Sequence, residues 1–193
     1  MKSDLKFFKK LKIIPVDRFF KNVLYDNKHG YYASKLPFGK SGDFVTSPKI
    51  SFLFSEAIAI WIISTWELFG RPNNFNIVEL GPGDGTLTKI LLKSFERFPK
   101  FNLIKKIFLY EESNFLKKIQ KKNINNKHVK WIDKFSEIKT GPVLFFGNEF
   151  FDAMPIKQFK KINNSFYEKN YTLDKKNNLI EIFKKAKKRD INI

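Results

Sequence analysis

The sequence predicts an α/β fold on an open parallel sheet, and three observations predict it. In residues 76–85, Asn-Ile-Val-Glu-Leu-Gly-Pro-Gly-Asp-Gly, an apolar run (Ile77, Val78, Leu80) stops at three alternate glycines, Gly81, Gly83 and Gly85. Leu87, Ile90, Leu91, Phe95 and Phe98 follow at helical spacing. Further short apolar runs, at 106–110, 128–131 and 142–147, repeat the strand pattern downstream. Strand, glycine turn, helix is how such a sheet presents a nucleotide site at the carboxyl end of its first strand. The turn needs glycine because the backbone must bend tightly, sometimes at positive φ, and lie close to a ligand.

Taken in order, residues 4–27 read as amphipathic helix, with Leu11, Ile14, Phe19, Phe20, Val23 and Leu24 available for one face. Pro15 marks a new helix start within it. Gly30-Tyr31-Tyr32 ends the helix, and residues 36–48 carry turn formers throughout, so a loop is expected. Ser47 reads as an N-cap with Pro48 at the first helical position, opening a helix over about 48–69. The aliphatic and tryptophan content of that helix implies burial against the sheet.

Beyond the glycine turn, 106–110 is the second strand and ends in Glu111-Glu112-Ser113. A helix runs on through Gln120, 128–131 is a short third strand, and 142–147 is a buried fourth. The fourth opens into Asn148-Glu149-Phe150-Phe151-Asp152-Ala153-Met154-Pro155. Residues 156–162 and 166–173 flank Asn163-Asn164-Ser165, a hairpin signal, and 174–178 is another turn. Three parts result: 1–48, an N-terminal helical segment and loop; 49–160, the ligand-binding core; and 161–193, a hairpin and tail.

Composition narrows the function. The chain has 193 residues, 42% hydrophobic and 17% aromatic, enough for one domain with a core. The net charge of +18 invites a nucleic-acid reading. Against it, only Arg18, Arg71, Arg97 and Arg189 among the 37 basic residues are arginine, and the lysines are scattered. Lysine binds phosphate as a point charge without arginine's bidentate fork, so no specific nucleic-acid partner is expected. The absence of cysteine excludes disulfides, thiolate metal sites and a cysteine nucleophile. His29 and His128 are far apart in sequence and suggest no metal site. The most apolar stretch, 57–66, is too short to cross a bilayer. A soluble protein is expected, cytoplasmic in a bacterium or mitochondrial in a eukaryote.

Spacing and charge identify the ligand class of the glycine turn. A dinucleotide fingerprint needs G-x-G-x-x-G and a pyrophosphate on the helix N-terminus. Here the third glycine comes one residue early, Glu79 precedes the first by two residues, and Asp84 lies inside the loop. Two carboxylates repel a pyrophosphate and suit a cation. S-adenosylmethionine (SAM), with a sulfonium, an ammonium and no phosphate, fits this acidic version. The plain alternative is a tight strand-to-helix turn that holds no ligand.

Four blocks carry a resemblance to a known family: Gly30-Tyr31-Tyr32; Gly42-Asp43-Phe44-Val45-Thr46-Ser47-Pro48; Glu79-Leu80-Gly81-Pro82-Gly83-Asp84-Gly85-Thr86-Leu87; and residues 148–155. Over about 13–160 their order and spacing are similar to those of bacterial and mitochondrial SAM-dependent methyltransferases. The mitochondrial members are protein arginine methyltransferases of respiratory complex I assembly. The resemblance implies a Rossmann-like, class I SAM methyltransferase sheet with N-terminal helices, incomplete at the C-terminus because family members run on through further strands. It also shows a departure: Lys49 stands where the family usually has an acidic residue.

By this resemblance Gly81, Gly83 and Gly85 pass beneath the methionyl part of SAM, and Glu79 steadies the loop near the ammonium. Glu79 could equally be a strand-end residue bonding the loop backbone. Glu111, at the end of the second strand, can accept from both ribose hydroxyls. Glu112 competes for that role, and the family's Glu-x-Ser pattern selects Glu111. Glu149, with Asp152 in support, is expected to orient a guanidinium, while Asn148 could offer its carbonyl to an amine. Asp152 could instead cap the following turn. Asp43, Thr46 and Ser47 form a lid over the cofactor by resemblance.

The function implied is methyl transfer to an arginine of a protein, such as a respiratory complex subunit. The alternative is a catalytically impaired fragment or a non-catalytic assembly protein. A sheet cut after its fourth or fifth strand exposes an unpaired edge, so marginal stability or self-association is expected.

Overall fold

The computed structural model describes residues 12–26, 30–34, 51–187 and 190. It divides into two compact units: one holds the N-terminal residues up to Ala33 and those from Asp152 onward, the other runs up to Phe151.

The second of these carries the parallel sheet. Its first long helix is α3 (Phe52–Leu68), which follows α1 (Val16–Tyr25) and α2 (Tyr31–Ser34) in the chain. The N-cap is Ser51, whose side chain accepts from the Leu53 amide, so the helix opens at Phe52 and not at Pro48. Ser47 lies outside the described residues. The helix is apolar on every side, but one stripe, Ser55, Ala59, Ile62, Ile63 and Trp66, is buried. Ile60 and Trp61 on its other side are half exposed, so only part of the expected burial is realised.

Strand β2 (Phe75–Leu80) is buried at all six residues, as a central parallel strand must be. Helices α4 (Thr86–Phe95) and α5 (Pro99–Ile104) lead to β3 (Lys105–Tyr110). Helix α6 (Asn114–Ile124) leads to β4 (Val129–Ile132), and a connection containing a 3-10 turn (Phe135–Glu137) leads to β5 (Val143–Phe146). The strand order is β4-β3-β2-β5, all parallel. The order reverses at β2, where β5 joins the side opposite β3. Asn76, buried within β2, locks that join: its side-chain amide donates to Thr140 O at 2.7 Å and its backbone amide to Pro142 O at 3.0 Å.

The core lies mainly on one face of this sheet. There Phe101 is fully buried, with ring centroids 5.0 Å from Phe95, 5.3 Å from Trp66 and 6.2 Å from Phe75. A smaller cluster of Val78, Leu80, Phe108 and Ile132, with Phe150 packed against it, gathers the alternate side chains.

The first unit is an antiparallel sheet. Its central strand is β7 (Ser165–Leu173), paired with β8 (Leu179–Lys185) on one edge. On the other edge it pairs with β6 (Phe159–Ile162) and then with β1 (Ile13–Pro15). The N-terminal stretch is thus not one helix from its described start. Ile13–Pro15 pair with residues 170–172, and α1 (Val16–Tyr25) begins after Pro15, with the one-turn helix α2 (Tyr31–Ser34) beyond. The hairpin turn falls at Asn163, which takes φ 50°, as asparagine tolerates.

Candidate functional site

The carboxyl ends of β2, β3 and β5 meet in the parallel-sheet unit, at the point where strand order reverses. Ligands of open α/β sheets bind at such a point. Register places Glu79 beside Leu109 of β3 and Phe146 of β5, two residues before Gly81 begins the glycine turn. Gly81, Gly83 and Gly85 all have positive φ: 61°, 59° and 83°. A side chain at Gly81 would also place its Cβ 2.7 Å from the Phe150 ring, and one at Gly85 would lie 2.9 Å from Ile124 Cδ1. Backbone conformation and close packing both demand glycine there. The Gly81 amide donates to Tyr110 O at 3.0 Å, extending the β2–β3 ladder into the loop. Asp84 Oδ1 accepts from the Thr86 amide at 3.1 Å in the first turn of α4.

Two buried carboxylates flank this loop. Glu79 is 3% exposed, and burial pushes its pKa up to about 7, with the negative charge of Asp84 adding to the rise. Thr88, fully buried on α4, donates its hydroxyl to Glu79 and opposes that rise. Glu111 is 8% exposed and is likewise pushed up by burial. The Ser113 amide donates to its Oε1 at 2.9 Å and Gln120 Nε2 to its Oε2 at 3.0 Å, and both pull in the other direction. Glu112, by contrast, is exposed and accepts from the Tyr110 hydroxyl at 3.1 Å. Of the two glutamates, Glu111 is the one built into the site.

Several residues here carry no motif. Gln120 donates through Nε2 to Gly83 O at 2.8 Å as well as to Glu111, and accepts from Trp131 Nε1 at 2.9 Å. Asn123 donates to Asp84 O at 2.9 Å. Helix α6 therefore holds the glycine loop from one side, while Thr88 of α4 holds Glu79 from the other.

Past β5, Asn148 is half-buried and Glu149 exposed. Glu149 takes φ 53°, unusual for a residue that is not glycine, and such strain collects at functional sites. Phe150 packs against the smaller core cluster. Phe151 is 70% exposed, so of the two phenylalanines only Phe150 is a packing residue of this unit. Asp152 is exposed, lies in the 3-10 turn Phe151–Ala153, and opens the other unit. Asp43, Thr46, Ser47 and Lys49 lie outside the described residues. Among the described residues there is no group of three or more metal-ligating side chains, and no helix is long and apolar enough to cross a membrane.

An open parallel sheet whose order reverses at a left-handed glycine loop, with two buried carboxylates beside it, defines the nucleotide-binding type of α/β protein. The chain belongs to a family of SAM-dependent methyltransferases: residues 57–191 match the family model described as "Putative S-adenosyl-L-methionine-dependent methyltransferase". It is 32% identical over 177 residues to the mitochondrial protein arginine methyltransferase NDUFAF7 homolog of Drosophila melanogaster, covering 80% of this chain and 40% of that protein. It is also 32% identical over 187 residues to the mitochondrial protein arginine methyltransferase NDUFAF7 of Xenopus laevis, covering 84% of this chain and 43% of the relative. The fold matches a Burkholderia thailandensis crystal structure bound to S-adenosyl-homocysteine, with TM-score 0.76 and 24% identity over 95% of this chain and 48% of that one. The chain thus spans less than half the length of each of these proteins.

The family's cofactor suits the residues present. A cation relieves the cost of burying Glu79 in charged form, whereas a pyrophosphate would be repelled by Glu79 and Asp84 together.

Proposed function

We propose that this chain is the cofactor-binding part of a methyltransferase that transfers a methyl group from SAM to an arginine of a protein. The observation that carries the reading is the pair of buried carboxylates, Glu79 and Glu111, on either side of the glycine loop. SAM, when bound, supplies a methyl group made electrophilic by its sulfonium. Gly81, Gly83 and Gly85 give the methionyl part close access to backbone, Glu79 faces the ammonium, and Glu111 accepts from the ribose hydroxyls. Glu149 orients a guanidinium by bidentate hydrogen bonds and favours loss of its proton as the methyl is accepted. Asn148 offers its side-chain carbonyl to the same nitrogen. Asp43, Thr46 and Ser47 close over the cofactor and exclude water. Residues 49–160 form the functional core, 1–48 carry the lid, and 161–193 are a hairpin and tail.

Arginine as the acceptor is supported by the names of the Drosophila and Xenopus relatives, and those same names support the mitochondrial compartment over the bacterial cytoplasm. A respiratory complex subunit is the substrate the family resemblance implies. Self-association is supported by β5, whose outer edge pairs with no described strand and which half-exposes Val143 and Phe145. Sedimentation at several concentrations would find dimers or larger species, and a concentration-independent monomer would remove that part.

The test of transfer is incubation with SAM labelled at the methyl group and a mitochondrial protein fraction, followed by hydrolysis and amino-acid analysis. Label in methylarginine is expected. S-adenosyl-homocysteine binding without any label transfer would sink the catalytic part and leave the cofactor site standing.

A further inference from the structure

The fully buried side chain of Gln120 belongs to none of the motifs read from the sequence. It sits in a lysine-rich helix, Lys117-Lys118-Ile119-Gln120-Lys121-Lys122, yet has no exposed surface. Its orientation is dictated by its neighbours. Trp131 Nε1–H can only donate, so it requires the amide oxygen; Gly83 O and the Glu111 carboxylate can only accept, so they require the amide nitrogen. One rigid amide therefore ties the middle of the glycine loop to the carboxylate at the end of β3.

We infer that Gln120 is the positioning residue of the cofactor site, its amide locked by Trp131 and holding Gly83 and Glu111 in the single arrangement that receives both halves of the cofactor. This rests on the reading of Gly83 and Glu111 given above. An apolar side chain of equal length would pack as well in α6. It would leave Gly83 O and a buried carboxylate without a donor, and free the two to move independently.

The test uses the whole chain and S-adenosyl-homocysteine as the probe, with dissociation constants from calorimetry at pH 8 and pH 6. Gln120→Glu keeps the size and the acceptor for Trp131 but sets a second carboxylate against Glu111. The ionisable groups around it are Glu111 at the end of β3, Asp84 in the glycine loop, and Lys117 and Lys121 on its own helix. All of these remain in the wild type, so the ratio of variant to wild-type affinity at each pH isolates the new carboxyl. Affinity about tenfold or more below wild type is expected at pH 8, consistent with the loss of donors to buried acceptors. The ratio should recover in part at lower pH, where a protonated carboxyl donates its single O–H to Glu111 but leaves Gly83 O without the second donor that the amide supplied. A merely structural glutamine would lower the melting temperature and leave the ratio independent of pH.

Trp131→Phe is the second variant. It retains Gln120 but unlocks its amide, and a loss of several-fold in affinity with a folded circular dichroism spectrum is expected. Wild-type affinity in Trp131→Phe, or a pH-independent ratio in Gln120→Glu, overturns the inference. A wild-type chain that does not bind the probe at either pH overturns the cofactor reading itself, and the inference with it.

Discussion

The hydroxyl of Thr88 donates to the carboxylate of Glu79, and both are shut away from water behind the glycine loop. A threonine on α4 thus supplies a donor to a buried carboxylate whose pKa stands at about 7 instead of 4.5. In the free protein the pair is poised between charge states near neutrality. A cationic ligand would draw the proton off.

That poise makes stability depend on pH. Glu79 binds its proton more tightly folded than unfolded, so folding is favoured with the proton on. The associated stability is fully present below about pH 4.5 and is lost as pH rises through about 7. The whole shift corresponds to about 3 kcal/mol as an upper figure. Denaturant unfolding between pH 5 and 8 should show wild type losing more stability than Glu79→Gln. Parallel curves for the two would contradict this origin.

Thr88→Val keeps the shape and removes the donor. It should cost about 1–3 kcal/mol, the usual consequence of leaving a buried acceptor unpaired. Because the lost bond favours the charged carboxylate, the cost should be larger at pH 8 than at pH 5. An equal cost at both pH values would mean that Glu79 does not titrate in that range.

Gly81→Ala meets two obstacles: a left-handed backbone at φ 61°, and the Phe150 ring 2.7 Å from the new Cβ. The first costs about 1–2 kcal/mol, and the second about as much again through overpacking. Phe150→Leu, combined with Gly81→Ala, should recover only the packing share of the lost melting temperature. Full recovery would show that backbone strain at Gly81 is negligible.

Phe101→Ala tests stability away from the site. Removing a fully buried ring packed on Trp66, Phe75 and Phe95 should cost about 3–5 kcal/mol. Below its lowered melting temperature the variant should still bind S-adenosyl-homocysteine with wild-type affinity. A weakened affinity in folded protein would place the core in control of the site.

The parallel strands and the glycine turn were legible because their signals are local. An apolar run ending at alternate glycines needs no distant partner to be read, whereas Glu111 was separated from Glu112 only by the family's Glu-x-Ser pattern. Non-local features were hidden. Ile13–Pro15 are a strand only because they pair with residues 170–172, and Thr172 Oγ1 bonds Lys12 O across 160 positions of sequence. Ser47-Pro48 offered a stronger local start signal than Ser51, yet Ser51 caps α3. Helix α3 is apolar all round, so periodicity could not say which stripe would be buried. Gln120 was read only as the end of a helix; its burial follows from Gly83, Glu111 and Trp131, which converge on it from other elements.

The central claim is that this acidic glycine loop receives a cationic nucleoside and not a pyrophosphate. It is tested most directly by a thermal-shift titration of the 193-residue chain with SAM, S-adenosyl-homocysteine and NAD, alongside Gly83→Val, which forces a β-branched residue into φ 59°. A ligand held only by the folded state adds about 2.7 kcal/mol at a hundredfold excess over its dissociation constant. The account predicts a saturable rise in melting temperature with SAM and its demethylated product, none with NAD, and none in Gly83→Val. A rise with NAD alone, or a folded wild-type chain indifferent to all three, would contradict it.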